Sequence, residues 1–163
     1  MTDGPVDFRN ALVALMPQMR AFARLLARDR ARADDLVQDA VLRAMTQEAQ
    51  WKPGSDLRAW VFRILRNGFL GQLRRGGTEQ RVLLRFDAAA SSAPAQLDTA
   101  ELRELDRALD DLPATQREAL VLVAALGLSI DEAAVISGVR AGTVKARISR
   151  ARATLAQRFQ GTD

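Results

Sequence analysis

Apolar residues recur along this chain at intervals of three and four, and nowhere alternate with polar ones. That period predicts helices and no strands. Phe8, Leu12 and Leu15 mark a first helix over 6–15. Pro17 suits the first turn of a second, whose apolar stripe is Met19, Phe22, Ala23, Leu25 and Leu26. A third helix is expected to open at Asp34 or Asp35, with Val37, Val41, Ala44 and Met45 on one face. Residues Trp51 to Asp56 (WKPGSD) read as a loop. Ser55 or Asp56 can cap a fourth helix that runs to about Arg75 and buries Leu57, Trp60, Val61, Ile64 and Leu65. Gly76 and Gly77 should end it. Residues 78–98 contain the stretch AAASSAPA and read as a linker, with a locally apolar piece at 81–86 that could be helical. Beyond it Leu102, Leu105, Leu109 and Leu112 resume helical spacing. Pro113, Thr115 and Glu118 start another helix, which Gly127 should stop. The fold class is all-α: two small helical domains, 1–76 and 99–163, joined by a flexible linker over 77–98.

The last quarter is the most specific stretch. Ser129 and Glu132 have the spacing of a capping box, in which each side chain serves an amide at the start of a short helix. A turn with Gly138 and Gly142 follows, then a second, basic helix. Two helices joined in this way predict a helix-turn-helix that enters the DNA major groove. In the second helix Val144, Ile148, Ala151 and Leu155 repeat at four, three and four and face inward. Lys145, Ala146, Ser149 and Arg150 share an outward strip. Arg can pair with guanine O6 and N7 through two bonds, and a small Ala can meet a thymine methyl. Arg147 and Arg152 flank the strip, where contacts to phosphate position the protein without reading sequence, and Arg140 and Thr143 are further candidates for contact with the same DNA.

Charge separates the rest. Residues 1–75 hold thirteen basic and eight acidic side chains, a balance of +5. Glu101 to Glu132 carry −5, and Arg140 to Arg158 carry +6. Two separated basic regions imply two nucleic-acid contacts. In the first region Arg63, Arg66 and Asn67 lie within roughly a third of a helix circumference, at about 100° per residue. Arg74 and Arg75 extend the charge. The loop before that helix, with Trp51, Lys52, Ser55 and Asp56, could hold an unstacked base, although Trp51 and Trp60 are of a type more often found in cores. Asp34, Asp35, Gln38 and Asp39 form an acidic patch suited to a positively charged protein. The helix dipole accounts for Asp34 and Asp35 if they open the helix, but not for Gln38 and Asp39.

The chain has no Cys and no His. That removes thiolate, disulfide and imidazole chemistry, and no constellation argues for an enzyme, a cofactor or a metal. No apolar run reaches membrane-span length, and the N-terminal residues do not resemble a signal peptide, so the cytoplasm is the expected compartment.

Four stretches together carry a resemblance: Ala33–Ala44 (ADDLVQDAVLRA), Leu57–Asn67 (LRAWVFRILRN), Leu112–Glu118 (LPATQRE) and Gly142–Arg152 (GTVKARISRAR). In order and spacing they resemble the extracytoplasmic-function sigma factors of bacteria, over about Leu12 to Phe159. The resemblance implies a partner, the RNA polymerase core with its β′ and β subunits, and a role at promoter DNA. Asp35, Gln38, Asp39 and Leu42 fall where that family docks on the β′ clamp helices. Asn67 and the loop Trp51–Asp56 fall where it captures a flipped base of the minus-ten element, with Arg63, Arg66, Arg74 and Arg75 on the melted strand. Lys145, Ala146, Ser149 and Arg150 fall where it reads the minus-thirty-five element. The linker would thread toward the RNA exit path. A looser likeness joins Arg32–Gln38, Trp51–Ser55 and Arg117–Gly127 to the general-stress, EcfG-type subgroup, which implies an anti-sigma partner of the NepR type. The chain departs from that subgroup at Gly68–Gly71, which replaces a more polar stretch, and at Ala146, where Ser is usual. Competing readings are a sigma-mimicking decoy for an anti-sigma factor and a stand-alone helix-turn-helix regulator. A decoy needs no base readers, and a repressor needs neither the Asp35–Asp39 surface nor a second basic helix.

Overall fold

The computed structural model of the chain describes residues 5–27, 29–75 and 99–161. All regular structure among them is helical. The expected helix end at Gly76–Gly77, the linker 77–98 and the helical piece at 81–86 lie outside the described residues. The chain falls into two compact units, Met1–Thr78 and Glu79–Asp163.

In the first unit, helices α1 (Pro5–Ala27), α2 (Arg30–Thr46) and α3 (Leu57–Arg75) pack pairwise on one another. A single 3-10 turn, Glu48–Gln50, follows α2. The core joins one stripe from each helix: Phe8, Leu12, Met19, Phe22 and Leu26 of α1, Leu36, Val37, Ala40 and Ala44 of α2, and Val61, Phe62, Leu65 and Phe69 of α3 are all buried. The stripe expected on α2 is turned: Met45 is exposed and Val41 half-buried, because Leu36 and Ala40 face the core in their place. On α3 Leu57, Trp60 and Ile64 are half-buried at its rim. Phe22 and Phe62 stack at its centre, ring centroids 5.4 Å apart.

Two expected boundaries shift. Pro17 does not begin a second helix; it lies inside the continuous α1. The missing N–H costs one backbone bond, but Pro17 is on the exposed side, where water can serve the freed carbonyl. Met19, Phe22 and Leu26 continue the buried stripe begun by Phe8 and Leu12, and one unbroken stripe is what the core needs. Likewise α2 opens at Arg30 rather than at Asp34 or Asp35. The cap is Asp29, whose Oδ1 accepts from the amides of Ala31 (2.8 Å) and Arg32 (3.3 Å), satisfying two of the helix's orphan donors. At α3 the cap is Asp56, accepting from the amides of Arg58 (3.0 Å) and Ala59 (3.3 Å).

The second unit holds α4 (Ala100–Asp110), α5 (Ala114–Leu120), α6 (Ile130–Ser137) and α7 (Ala141–Gln160). Thr99 caps α4 and Ser129 caps α6 through the Glu132 amide. The helix expected to run from Pro113 to Gly127 is α5 followed by a wider π turn, Val121–Ala125. There the Leu126 amide donates to the Val121 carbonyl (2.9 Å) and Leu128 to Leu122 (3.0 Å). The extra residue turns Leu122 and Leu128 into the core, where both are buried. Gly127, in the left-handed region at φ +69°, then ends the turn. The stripe at Leu102, Leu105, Leu109 and Leu112 is buried only at its end: Leu112 is inside, Leu109 half-buried, Leu102 and Leu105 exposed.

Candidate nucleic-acid and protein interfaces

Helices α6 and α7 form the predicted helix-turn-helix. Gly138 closes α6 at φ +68°, a conformation that favours glycine. Two residues later Arg140 begins the turn into α7. Val144, Ile148 and Ala151 are buried and Leu155 is half-buried, so the inward seam of α7 is the predicted one. Its opposite side presents Lys145, Ser149 and Arg150 to solvent, with Ala146 half-buried at the edge of the strip. Arg140, Thr143 and Arg152 are exposed, and Arg147 is half-buried. An apolar seam fixes the pose of the helix, and the outward strip offers one guanidinium, one ammonium and one hydroxyl. This is the donor set that reads base edges in a major groove.

In the first unit the loop between α2 and α3 is tied at three points. Trp51 rests on Phe8, ring centroids 5.5 Å apart, and Trp60 meets the same ring edge-on at 6.4 Å. The Ser55 amide and hydroxyl both donate to the Lys52 carbonyl, at 3.0 and 2.6 Å. Gly54 sits at φ +90°. Asp56 caps α3, so its carboxylate is held by backbone amides. Lys52, Ser55 and Asp56 are exposed, while Trp51 and Trp60 are half-buried. On α3, Arg63 and Asn67 are exposed with Arg66 half-buried beside them, and Arg74 and Arg75 are exposed at the helix end.

On α2 the structure sharpens the acidic patch. With the cap at Asp29, no acidic residue lies in the first turn, so the helix dipole does not account for Asp34 or Asp35. Asp34, Asp35, Gln38, Asp39 and Leu42 are all exposed, and Leu42 is 63% exposed on a helix whose other side is core.

Sequence reasoning missed two things. Phe8, taken only as a core residue, meets both Trp51 of the loop, 43 residues away along the chain, and Trp60 of α3; no local pattern carries those contacts. Arg117 and Glu118, noted only as part of a motif, are buried. Arg117 is 1% exposed and lies 3.6 Å from Asp110. Glu118 accepts a 2.8 Å hydrogen bond from Ser137, which ties α5 to α6. Among the described residues no cluster of side chains could hold a metal ion, and no helix is long and apolar enough to cross a membrane.

Two family models match the chain: sigma-70 region 2 over residues 12–79 and sigma-70 region 4 over residues 102–155. The chain is 43% identical over 150 residues to the ECF RNA polymerase sigma factor EcfG of Rhodopseudomonas palustris, covering 91% of this chain and 83% of that one. It is 31% identical over 159 residues to the ECF RNA polymerase sigma factor SigF of Caulobacter vibrioides, covering 96% and 87%. A similar solved structure is the sigma factor RpoE of Bartonella quintana in complex with the anti-sigma factor NepR. It shows 38% identity and a TM-score of 0.78, over 96% of this chain and 99% of that one. CnrH in complex with the cytosolic domain of CnrY follows at 27% identity and a TM-score of 0.70, over 99% and 92%.

Proposed function

The chain belongs to the ECF RNA polymerase sigma factors, and from that premise we propose how its surfaces divide the work of promoter recognition. The 1–76 domain carries the core-binding and minus-ten functions. Asp35, Gln38, Asp39 and Leu42 of α2 dock on the clamp helices of the β′ subunit. The loop with Trp51, Lys52, Ser55 and Asp56, together with Asn67, captures a flipped minus-ten base, while Arg63, Arg66, Arg74 and Arg75 hold the melted strand. The 99–163 domain reads the minus-thirty-five duplex through Lys145, Ala146, Ser149 and Arg150, with Arg140, Thr143, Arg147 and Arg152 on the flanking phosphates. Residues 77–98 join the two and thread toward the RNA exit path of the polymerase core, whose β′ and β subunits are the chain's partners. The chain performs no bond chemistry of its own, needs no cofactor, and acts in the cytoplasm.

The observation that carries this reading is the outer face of α2. Four polar side chains and an exposed Leu42 stand past the first helical turn, on a helix fully buried on its other side. Neither capping nor the dipole accounts for them, and a basic protein partner does. Control by a small anti-sigma protein of the NepR type, in a general stress response, is supported by the likeness to EcfG and to the RpoE of the NepR complex.

The test is binding of the purified chain to core polymerase, then run-off transcription from a promoter library. Saturable binding with promoter-dependent transcripts is expected, and a NepR-type protein should abolish both. A chain that binds such an anti-sigma protein but never active core would be a decoy, and the reading would fall.

A further inference from the structure

The outer face of α1 belongs to none of the surfaces above. Arg9, Val13, Arg20 and Arg24 fall within about 60° of one another around the helix, at about 100° per residue, and all four are exposed. Val13 is 61% exposed, a large apolar side chain in the middle of the row. From Arg9 to Arg24 the row is about 22 Å long at 1.5 Å per residue. The sequence contains no acidic residue between Asp7 and Asp29, so nothing on this helix beyond its first residues offsets the positive charge. An ordinary solvated helix face mixes signs and gains from i, i+4 ion pairs; this one mixes none. The neighbouring α2 does mix signs, with Arg30, Arg32 and Arg43 exposed beside Asp34, Asp35 and Asp39. The buried face of α1 uses only apolar residues (Phe8, Leu12, Met19, Phe22, Leu26), so the arginines contribute nothing to the core.

We propose that this ridge on α1 is a further contact for the phosphate backbone of nucleic acid, made by Arg9, Arg20 and Arg24. It rests on the reading that the first unit works on promoter DNA. A DNA strand advances about 3.4 Å per phosphate along the duplex axis, so the ridge runs beside about six phosphates. Three guanidinia along such a strand, with Val13 between them to lie against sugar, form a contact that holds DNA without reading its sequence. The absence of any carboxylate among them fits a contact with phosphate.

The experiment compares wild-type holoenzyme with the R9Q/R20Q/R24Q triple variant, measuring promoter-complex affinity from low to moderate salt. A charge-preserving R9K/R20K/R24K variant serves as the control, and circular dichroism establishes that helicity is kept. The expected result is a log K against log salt slope smaller by about one for each lost phosphate contact. The loss should be the same on different promoters, with restoration by the lysine variant and unchanged affinity for core. An unchanged slope would overturn the proposal. So would a loss confined to core binding, which would make the ridge a contact with an acidic protein surface. If wild type itself fails to bind core or promoter, the fault lies with the assignment of the chain's surfaces and not with the ridge.

Discussion

In the proposed division of labour, single side chains have separable roles. Arg150 is exposed on the outward strip of α7, so Arg150→Ala should leave the fold intact. It should cost about 1–3 kcal/mol on the correct minus-thirty-five duplex and relax discrimination at one base pair, as read by competition between point-substituted duplexes. Asp39→Arg reverses a charge on the α2 face. Affinity for core polymerase should fall while duplex binding by the second unit is kept; unchanged core affinity would mean the docking face is elsewhere. Ser137 works through structure instead. Its hydroxyl donates to the buried carboxylate of Glu118, and Ser137→Ala removes one donor from a buried charge. Chemical denaturation should show a loss of about 1–3 kcal/mol, with base preference unaltered.

Among the elements, α1 shows how far pattern reasoning reaches. Its buried stripe was legible because 3.6-residue spacing is a local property, and so was that of α7. On α3 the spacing picks out Val61 and Leu65 but not Phe62 or Phe69. On α2 it picks out Val37 and Ala44 but puts Met45 inside, where the structure exposes it. The two misjudged boundaries share one cause. Pro17 and Asp34 carry strong local signals, but a boundary is decided by the packing of the whole stripe, and that is tertiary. The π turn at Val121–Ala125 is likewise forced by the need to bury Leu122 and Leu128, which no capping residue announces. The outward strip of α7 and the α2 patch could be read from periodicity, whereas the hold of Phe8 on the Trp51 loop could not. The Pro17 placement is open to test. Interior proline costs a helix up to about 3 kcal/mol relative to alanine, so Pro17→Ala should raise the melting temperature. A fall instead would show that the packing of α1 depends on a bend at Pro17.

At the scale of the whole molecule, charge and aromatic residues are distributed with a purpose in view of the proposed division of labour. Balances of +5 over residues 1–75, −5 over Glu101–Glu132 and +6 over Arg140–Arg158 separate the two regions proposed to face DNA. The cluster of Phe8, Trp51 and Trp60 adds something practical. The chain has two tryptophans and no tyrosine, and both tryptophans meet the same ring, that of Phe8, in the first unit. The tryptophan emission of the chain therefore arises wholly beside the loop assigned to the flipped base, and the second unit contributes none of it. A single-stranded minus-ten oligonucleotide should quench or shift that emission, while a minus-thirty-five duplex should leave it unchanged. The protein thus comes with its own lamp, lit at one end only, and without any dye it can tell an observer which of its two halves has found DNA.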